Sequence, residues 1–386
     1  MTIGVTLVWL LFSWWYKHPG YQRKLEFEQS PYAILTKDMD GNGWMDIALV
    51  SHGNNQVKVW RQLQKRTFTP GVKSDSVGFH PGFLFQWPNT ATILLGAEGE
   101  NEIRRLALGD EGELFLTGSV AEEKAVELQR FYWPGWGESI IVRPYLQDEL
   151  VILSQFDHET LGYAKRQVVP LSSHRPSLMV PGRLTVLDAD RDGIDEIYYG
   201  LGVARQIRRL EYPGQNKEVE HSALVAKLST GHPQEVLSED FNQDGYPDLL
   251  VPDSLPNGWL HIFMNDGTGK FNEVELTNLL PKQELQGFFM ARDRDGRLLL
   301  LINATRQVHL LRFPERWVGD AGLIEVNTVD KPGEEASVIA SLSDLDQDGW
   351  LDAVVGLDRP KESAWLCYGP LWKNFADLNR RGFILD

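Results

Sequence analysis

Four short stretches of this chain set oxygen-bearing side chains at the spacing a cation-binding loop needs. They are Asp38-Met-Asp40-Gly-Asn42-Gly43-Trp-Met-Asp46, Asp188-Ala-Asp190-Arg-Asp192-Gly193-Ile-Asp-Glu196, Asp240-Phe-Asn242-Gln-Asp244-Gly245-Tyr-Pro-Asp248 and Asp344-Leu-Asp346-Gln-Asp348-Gly349-Trp-Leu-Asp352. Each reads D-x-D/N-x-D/N-G-x-x-D/E. A hard divalent cation takes six to eight oxygen ligands at about 2.3–2.6 Å, and calcium tolerates the irregular geometry such loops offer. Positions 1, 3 and 5 supply side-chain oxygens, glycine at position 6 permits the sharp turn, and position 7 offers its carbonyl. The acid at position 9 closes the site. The predicted ligands are thus Asp38, Asp40, Asn42, Trp44 and Asp46; Asp188, Asp190, Asp192, Ile194 and Glu196; Asp240, Asn242, Asp244, Tyr246 and Asp248; and Asp344, Asp346, Asp348, Trp350 and Asp352, with Trp44, Ile194, Tyr246 and Trp350 acting through backbone oxygen.

The first five positions also match an EF-hand, which requires a bidentate Glu at position 12 and flanking helices. Position 12 is instead Leu49, Tyr199, Val251 or Val355, each within an apolar, strand-like run. The EF-hand reading fails. Isolated Asp-Gly turns are common, but four copies with the same oxygen positions favour metal, about four structural Ca²⁺ in all. A fifth segment, Ala291 to Leu299, keeps Asp293 and Asp295 but lacks acids at positions 1 and 9, and is expected to bind nothing.

The elements that must hold these loops follow from their spacing. Loops begin at 38, 188, 240, 291 and 344, so the last four lie 50-odd residues apart and the first gap spans three such steps. Two degenerate units fill that gap, with Thr92-Ile-Leu-Leu-Gly96 and Asp148-Glu-Leu-Val-Ile-Leu153 as the apolar runs that would follow their missing loops. Within a unit, short runs rich in β-branched and aromatic residues alternate with Gly, Asn and Pro. Fifty residues cannot bury a core alone, so the units must stack on one another. The fold class expected is all-β: a seven-bladed β-propeller of four-stranded blades over residues 21–386, with units starting near 30, 80, 132, 181, 233, 285 and 336, preceded by a short apolar, helical segment within residues 1–20. Lys24-Leu-Glu-Phe27 and Gly382-Phe-Ile-Leu385 are the candidates for the outer strand that closes the ring.

The acidic loop followed by an apolar strand resembles the FG-GAP/VCBS repeats of integrin α-subunits and bacterial surface proteins. Asn265-Asp266-Gly267-Thr268-Gly269-Lys270-Phe271 is similar to a turn that VCBS repeats carry later in the blade. The resemblance is strong in four units and weak in three, and the Phe-Gly and Gly-Ala-Pro signatures of integrins are missing. It implies calcium loops between the first two strands of a blade, in a protein outside the cytoplasm.

Ile3 to Tyr16 is an uncharged apolar run ending in Trp14-Trp15-Tyr16. As a helix it would rise about 21 Å, short of a ~30 Å hydrocarbon core. A signal-peptide core, an uncleaved anchor and a buried element all remain open; the anchor is preferred. The periplasmic or cell-surface location is what the resemblance implies, since Lys17, Arg23 and Lys24 after the run would by themselves favour the cytoplasmic side. The net charge of -16 excludes a nucleic-acid-binding face by repulsion. Yet the fourteen predicted carboxylate ligands account for all but -2 of it, and four bound Ca²⁺ would leave the protein at -8. Acidity here counts metal ligands rather than selecting a basic partner. No H-E-x-x-H, G-x-S-x-G or phosphate-cradling loop is present, and the nine histidines are scattered without ligand spacing. The function expected is an interaction or assembly subunit, tethered by residues 3–16 and docked on a protein partner such as a membrane complex. The alternatives are a glycan-binding module using the aromatics Phe131 to Trp136, or a polysaccharide-modifying hydrolase or lyase.

Overall fold

The computed structural model describes residues 22–375, apart from residue 26, residues 28–30, 76, 172–180, 215–216, 221, 229–230, 234, 254, 256–258, 277, 331–337 and 358–362. The apolar run at 3–16 and the candidate closing strand at 382–385 lie outside these residues. No helix among the described residues is long and apolar enough to cross a membrane.

The chain forms seven four-stranded antiparallel sheets. Blade 1 holds β2 (Ala33–Lys37), β3 (Asp46–Ser51), β4 (Gln56–Trp60) and β7 (Val72–Ser74), with a small hairpin, β5 (Gln62–Gln64) and β6 (Thr67–Phe68), before its last strand. Blade 2 is β8 (Pro81–Gln86) to β11 (Leu114–Ala121), with β9 (Ile93–Ala97) and β10 (Glu102–Leu108) between; blade 3 is β12 (Ala125–Trp133), β13 (Gly137–Pro144), β14 (Glu149–Ser154) and β15 (Lys165–Pro170). Blade 4 is β16 (Pro181–Leu187), β17 (Glu196–Leu201), β18 (Gln206–Leu210) and β19 (Ala223–Lys227), and blade 5 is β20 (Leu237–Glu239), β21 (Asp248–Pro252), β22 (Leu260–Asn265) and β23 (Phe271–Leu276). Blade 6 is β24 (Leu285–Arg292), β25 (Leu298–Ala304), β26 (Gln307–Arg312) and β27 (Glu325–Asp330). Blade 7 takes β28 (Val338–Ser343), β29 (Asp352–Leu357) and β30 (Ser363–Cys367) from the end of the chain and β1 (Gln22–Leu25) from its start. The seven-bladed, four-stranded architecture expected from the repeat spacing is therefore the architecture found. The N-terminal side supplies the closing strand, which begins two residues before the candidate Lys24–Phe27 and shares Lys24 and Leu25 with it.

The core explains why the second strands read as unbroken apolar runs. Side chains alternate across a strand, and both faces of a blade are covered by neighbours. In β3, Ile47 and Leu49 pack towards blade 7 while Ala48 and Val50 pack towards blade 2. The same division gives one hydrophobic cluster at each of the seven blade interfaces among the described residues.

Blade 3 departs from the sequence reading. Its first two strands turn tightly at Pro134–Trp136 in place of an acidic loop, so Glu149–Ser154 becomes the third strand and not the second. Phe131, Trp133 and Trp136 are buried between blades 3 and 4 and leave only Tyr132 exposed. These rings are packing, and the glycan-binding rim built on them is lost.

One buried polar group gives a pH prediction. His309 in β26 is fully buried, with Nε2 2.7 Å from the Gln283 amide nitrogen and Nδ1 2.8 Å from Thr328 Oγ1. The amide donates to Nε2, so the neutral ring carries its proton on Nδ1. Burial pushes its pKa down from 6.5 to about 4. Between those values the unfolded chain binds a proton that the folded ring refuses, so stability falls as pH drops from 6.5 to 4, by up to about 3 kcal/mol. The difference in denaturant midpoint between wild type and His309→Gln is expected to shrink on going from pH 7 to pH 4.5. An unchanged difference would show that the ring titrates normally.

Candidate metal centres and the channel mouth

Each intact acidic loop joins the first and second strands of a blade: β2–β3, β16–β17, β20–β21 and β28–β29. The four share one internal hydrogen-bond pattern. The position 1 carboxylate accepts from the amides of positions 5 and 6, as Asp38 does from Asn42 (3.1 Å) and Gly43 (2.9 Å). Asp188, Asp240 and Asp344 repeat this at 2.8–3.1 Å. Position 3 accepts from the position 5 amide, and position 5 accepts from position 7. Position 4 is left-handed in all four, with φ of 75° at Gly41, 62° at Arg191, 53° at Gln243 and 55° at Gln347. Glycine at position 6 also has positive φ, for instance 88° at Gly43. Two left-handed residues fold the loop back on itself and turn its oxygens inward.

Carboxylate oxygens converge as a result. One from each of Asp38, Asp40 and Asp46 lie within 4.8 Å of one another, as do those of Asp188, Asp190 and Asp192, and of Asp344, Asp346 and Asp348. The third loop replaces one carboxylate with the Asn242 amide. The donors are all hard oxygens, a set that suits a divalent ion of the calcium type and offers nothing to a soft metal.

The position 9 acid has a second task that the sequence pattern hides. Asp46 is fully buried and accepts from Met39 N (2.9 Å) and, 16 residues on, from Gln62 N (2.8 Å). Asp248 does the same with Phe241 and Asn265, and Asp352 with Leu345 and Gly369. Glu196 bonds Ala189 N (3.0 Å); the corresponding downstream residue, Pro213, has no amide hydrogen to give. In three of the four loops this acid therefore ties the loop to the end of the third strand. Burial, with neighbouring loop carboxylates adding to it, pushes Asp46 up to about 6, Glu196 to about 7, Asp248 to about 6 and Asp352 to about 8.

Neighbouring loops are also linked. The position 4 side chain of one loop reaches positions 5–7 of the next. Arg191 lies over the Tyr246 ring (5.2 Å), Gln243 donates to Gly296 O (3.2 Å), Arg294 lies over Trp350 (4.0 Å), and Gln347 donates to Gly43 O (2.5 Å). The series runs through blades 4, 5, 6, 7 and 1 and crosses the point of ring closure. Position 4 of the first loop is Gly41, and blade 2 has no acidic loop for a side chain there to meet. Trp44, Tyr246 and Trp350 are only half-buried, and the last two lie beneath an arginine of the adjoining blade.

Arginines distinguish two loops from the rest. In the degenerate loop, Asp295 pairs with Arg312 and Arg297, and Arg292 bonds Glu239 and the Gly296 carbonyl. In the 344–352 loop, Arg66 from the β5–β6 hairpin pairs with buried Asp346 and sits 3.7 Å from Asp348, while Lys65 is 3.8 Å from Asp346. Asp38, Asp40, Asp188, Asp190 and Asp192 have no such partner among the described residues.

The opposite face, where second strands turn into third strands, carries polar groups that sequence reasoning missed. Around the channel, Arg143 pairs with Glu127 (2.7 Å), and Arg183 pairs with Glu235 (2.7 Å) and lies 4.9 Å from the Phe83 ring. Burial pushes the Tyr32 hydroxyl up against the opposing pull of Arg143, and burial likewise raises Glu235 despite Arg183. Beside them His52, His80 and Glu98 come together. They are 28 and 18 residues apart in sequence and sit on three separate turns, so no local spacing announced them.

No family model matches the chain, and no curated protein matches it. Among solved structures it is similar to a Bacteroides fragilis protein crystallised as a candidate 6-phosphogluconolactonase, with a TM-score of 0.51 and 13% identity over 78% of this chain and 84% of that one. That likeness shows the propeller fold alone.

Proposed function

We propose that this chain is an extracytoplasmic propeller of the FG-GAP/VCBS kind, stabilised by calcium in its acidic loops and tethered through residues 3–16. It works there as an interaction subunit of a membrane-associated assembly. The calcium part rests on the repeated oxygen geometry of four loops. The interaction part rests on one observation, the outer strand of blade 2. β11 is eight residues long, forms the open edge of its sheet, and exposes the consecutive residues Phe115 and Leu116, which project on opposite faces. A long open edge with exposed apolar side chains is one that a protein left unpartnered would be expected to blunt with charge; a partner strand would pair its backbone and bring side chains beside Phe115 and Leu116. Phe115→Asp with Leu116→Asp is expected to leave melting temperature within about 2 °C, as surface changes do, while abolishing co-purification of the partner from detergent-solubilised membranes. Retention of the same partners by the double variant would refute the edge as the docking site.

A channel enzyme is the second reading, favoured by the convergence of Tyr32, Glu127, Arg143, Arg183 and Glu235. The name of the Bacteroides protein points to lactone hydrolysis. Here the two channel carboxylates are already held by arginines. It therefore ranks behind the scaffold.

A further inference from the structure

We propose that His52, His80 and Glu98 form a binding site for one divalent transition-metal ion of the zinc type, on the face opposite the acidic loops. Three turns build it. His52 lies in the β3–β4 turn of blade 1, His80 in the link leading into β8, and Glu98 just after β9. Glu98 Oε1 is 3.2 Å from His80 Nδ1 and 3.8 Å from His52 Nε2. Ligand atoms about 2.0–2.1 Å from a tetrahedral zinc are separated by about 3.3 Å, so these spacings are those of ligands around a shared centre. All three ligand atoms lie within 4.8 Å of one another.

Two features make this more than a chance meeting of side chains. His52 Nδ1 is 3.0 Å from the Pro81 carbonyl, and only a protonated Nδ1 can donate to it. That fixes the tautomer and leaves the Nε2 lone pair facing Glu98, the outer-shell arrangement that ligating histidines adopt. Glu98 has a side chain only 9% exposed, and its Oε2 is buried with no hydrogen-bond partner among the described residues. An orphaned buried carboxylate oxygen is costly, and a cation beside it removes the cost. His80 is also held in the left-handed region (φ 51°), with its amide bonded to Asn55 Oδ1 (2.8 Å). Two imidazoles and one carboxylate select a borderline ion over calcium, and three protein ligands leave a coordination position open to water or another donor.

The test uses full-length protein stripped with chelator and then equilibrated with Zn²⁺ in millimolar Ca²⁺, so that the acidic loops are occupied. Elemental analysis is expected to find one zinc per chain. His52→Ala, His80→Ala and Glu98→Gln are each expected to weaken zinc binding by at least about tenfold. X-ray absorption at the zinc edge of the wild-type protein is expected to show two imidazole rings, a readout independent of whether any variant folds. Less than about 0.2 zinc per chain, or a first shell of oxygen alone, overturns the site.

Discussion

Removing calcium with EGTA is expected to lower the melting temperature of this protein by about 10–15 °C, and adding it back is expected to restore it. An ion bound only by the folded state at 100 times its dissociation constant contributes about 2.7 kcal/mol, so three or four sites contribute about 8–11 kcal/mol. A folded body of roughly 350 residues shifts its midpoint by about 1.4 °C per kcal/mol on average unfolding entropies. Asp344→Ala with Asp348→Ala is expected to remove one ion. That loop should also be the weakest of the four, because Arg66 and Lys65 already neutralise Asp346; Arg66→Gln should raise its affinity. Purified protein that contains no calcium and melts at the same temperature in EGTA would sink the calcium reading.

The effect of chelator should depend on pH, with a definite sign. In the metal-free protein the position 9 acids titrate at about 6, 7, 6 and 8, above their ordinary range near 4. An acid whose folded value is raised stabilises the fold below its unfolded value, and that stability is lost as pH rises through the folded value. Metal-free protein should therefore weaken between pH 5 and 8. With calcium bound, a neighbouring +2 charge favours the ionised acid, and the loss should vanish. The gap between the two melting curves should be wider at pH 8 than at pH 5.5.

What the sequence revealed about this molecule depended on whether the signal was local. The acidic loops are nine-residue patterns whose oxygens converge through their own backbone, so Asp38 to Asp46 could be read in isolation. Blade number followed from loop spacing, because a propeller repeats one unit. The turn after β12 was not legible, since Pro134–Trp136 does with three residues what the four acidic-loop blades do with eight. The links made by position 4 side chains were likewise hidden, although Arg191, Gln243 and Gln347 occupy one column of the repeat. Their partners lie a whole blade away. His52, His80 and Glu98 meet only because blade 1 lies against blade 2, and the identity of Gln62 and Gly369 as partners of the position 9 acid needs the third strand in place.

Leu25→Ala with Phe27→Ala is expected to destabilise the protein by about 5–8 kcal/mol, from the range measured for emptying buried Leu and Phe sites. Deletion through Phe27 is expected to leave aggregated chain. Both side chains are buried, at 1% and 3% exposure, in the cluster between blades 7 and 1, with the Phe27 and Trp60 rings 6.2 Å apart. Strand β1 pairs residue for residue with β30, Gln22 opposite Cys367 through Leu25 opposite Ala364. Removing it opens the β30 edge and uncovers one face of blade 7 at the only interface where the two ends of the chain meet. No disulfide can hold that seam, because Cys367 is the only cysteine. The register offers a direct test that the seam, and not merely a cavity, is responsible. Directly opposed residues in an antiparallel pair have Cα atoms about 4.5–5.5 Å apart, within the span of a disulfide. Gln22→Cys should therefore cross-link to Cys367 under oxidising conditions and recover part of the stability lost in Leu25→Ala. Reduction should abolish the recovery. If deletion through Phe27 leaves the melting temperature within about 2 °C of wild type, about 1.4 kcal/mol for a body of this size and far below the loss expected, then β1 does not close the ring.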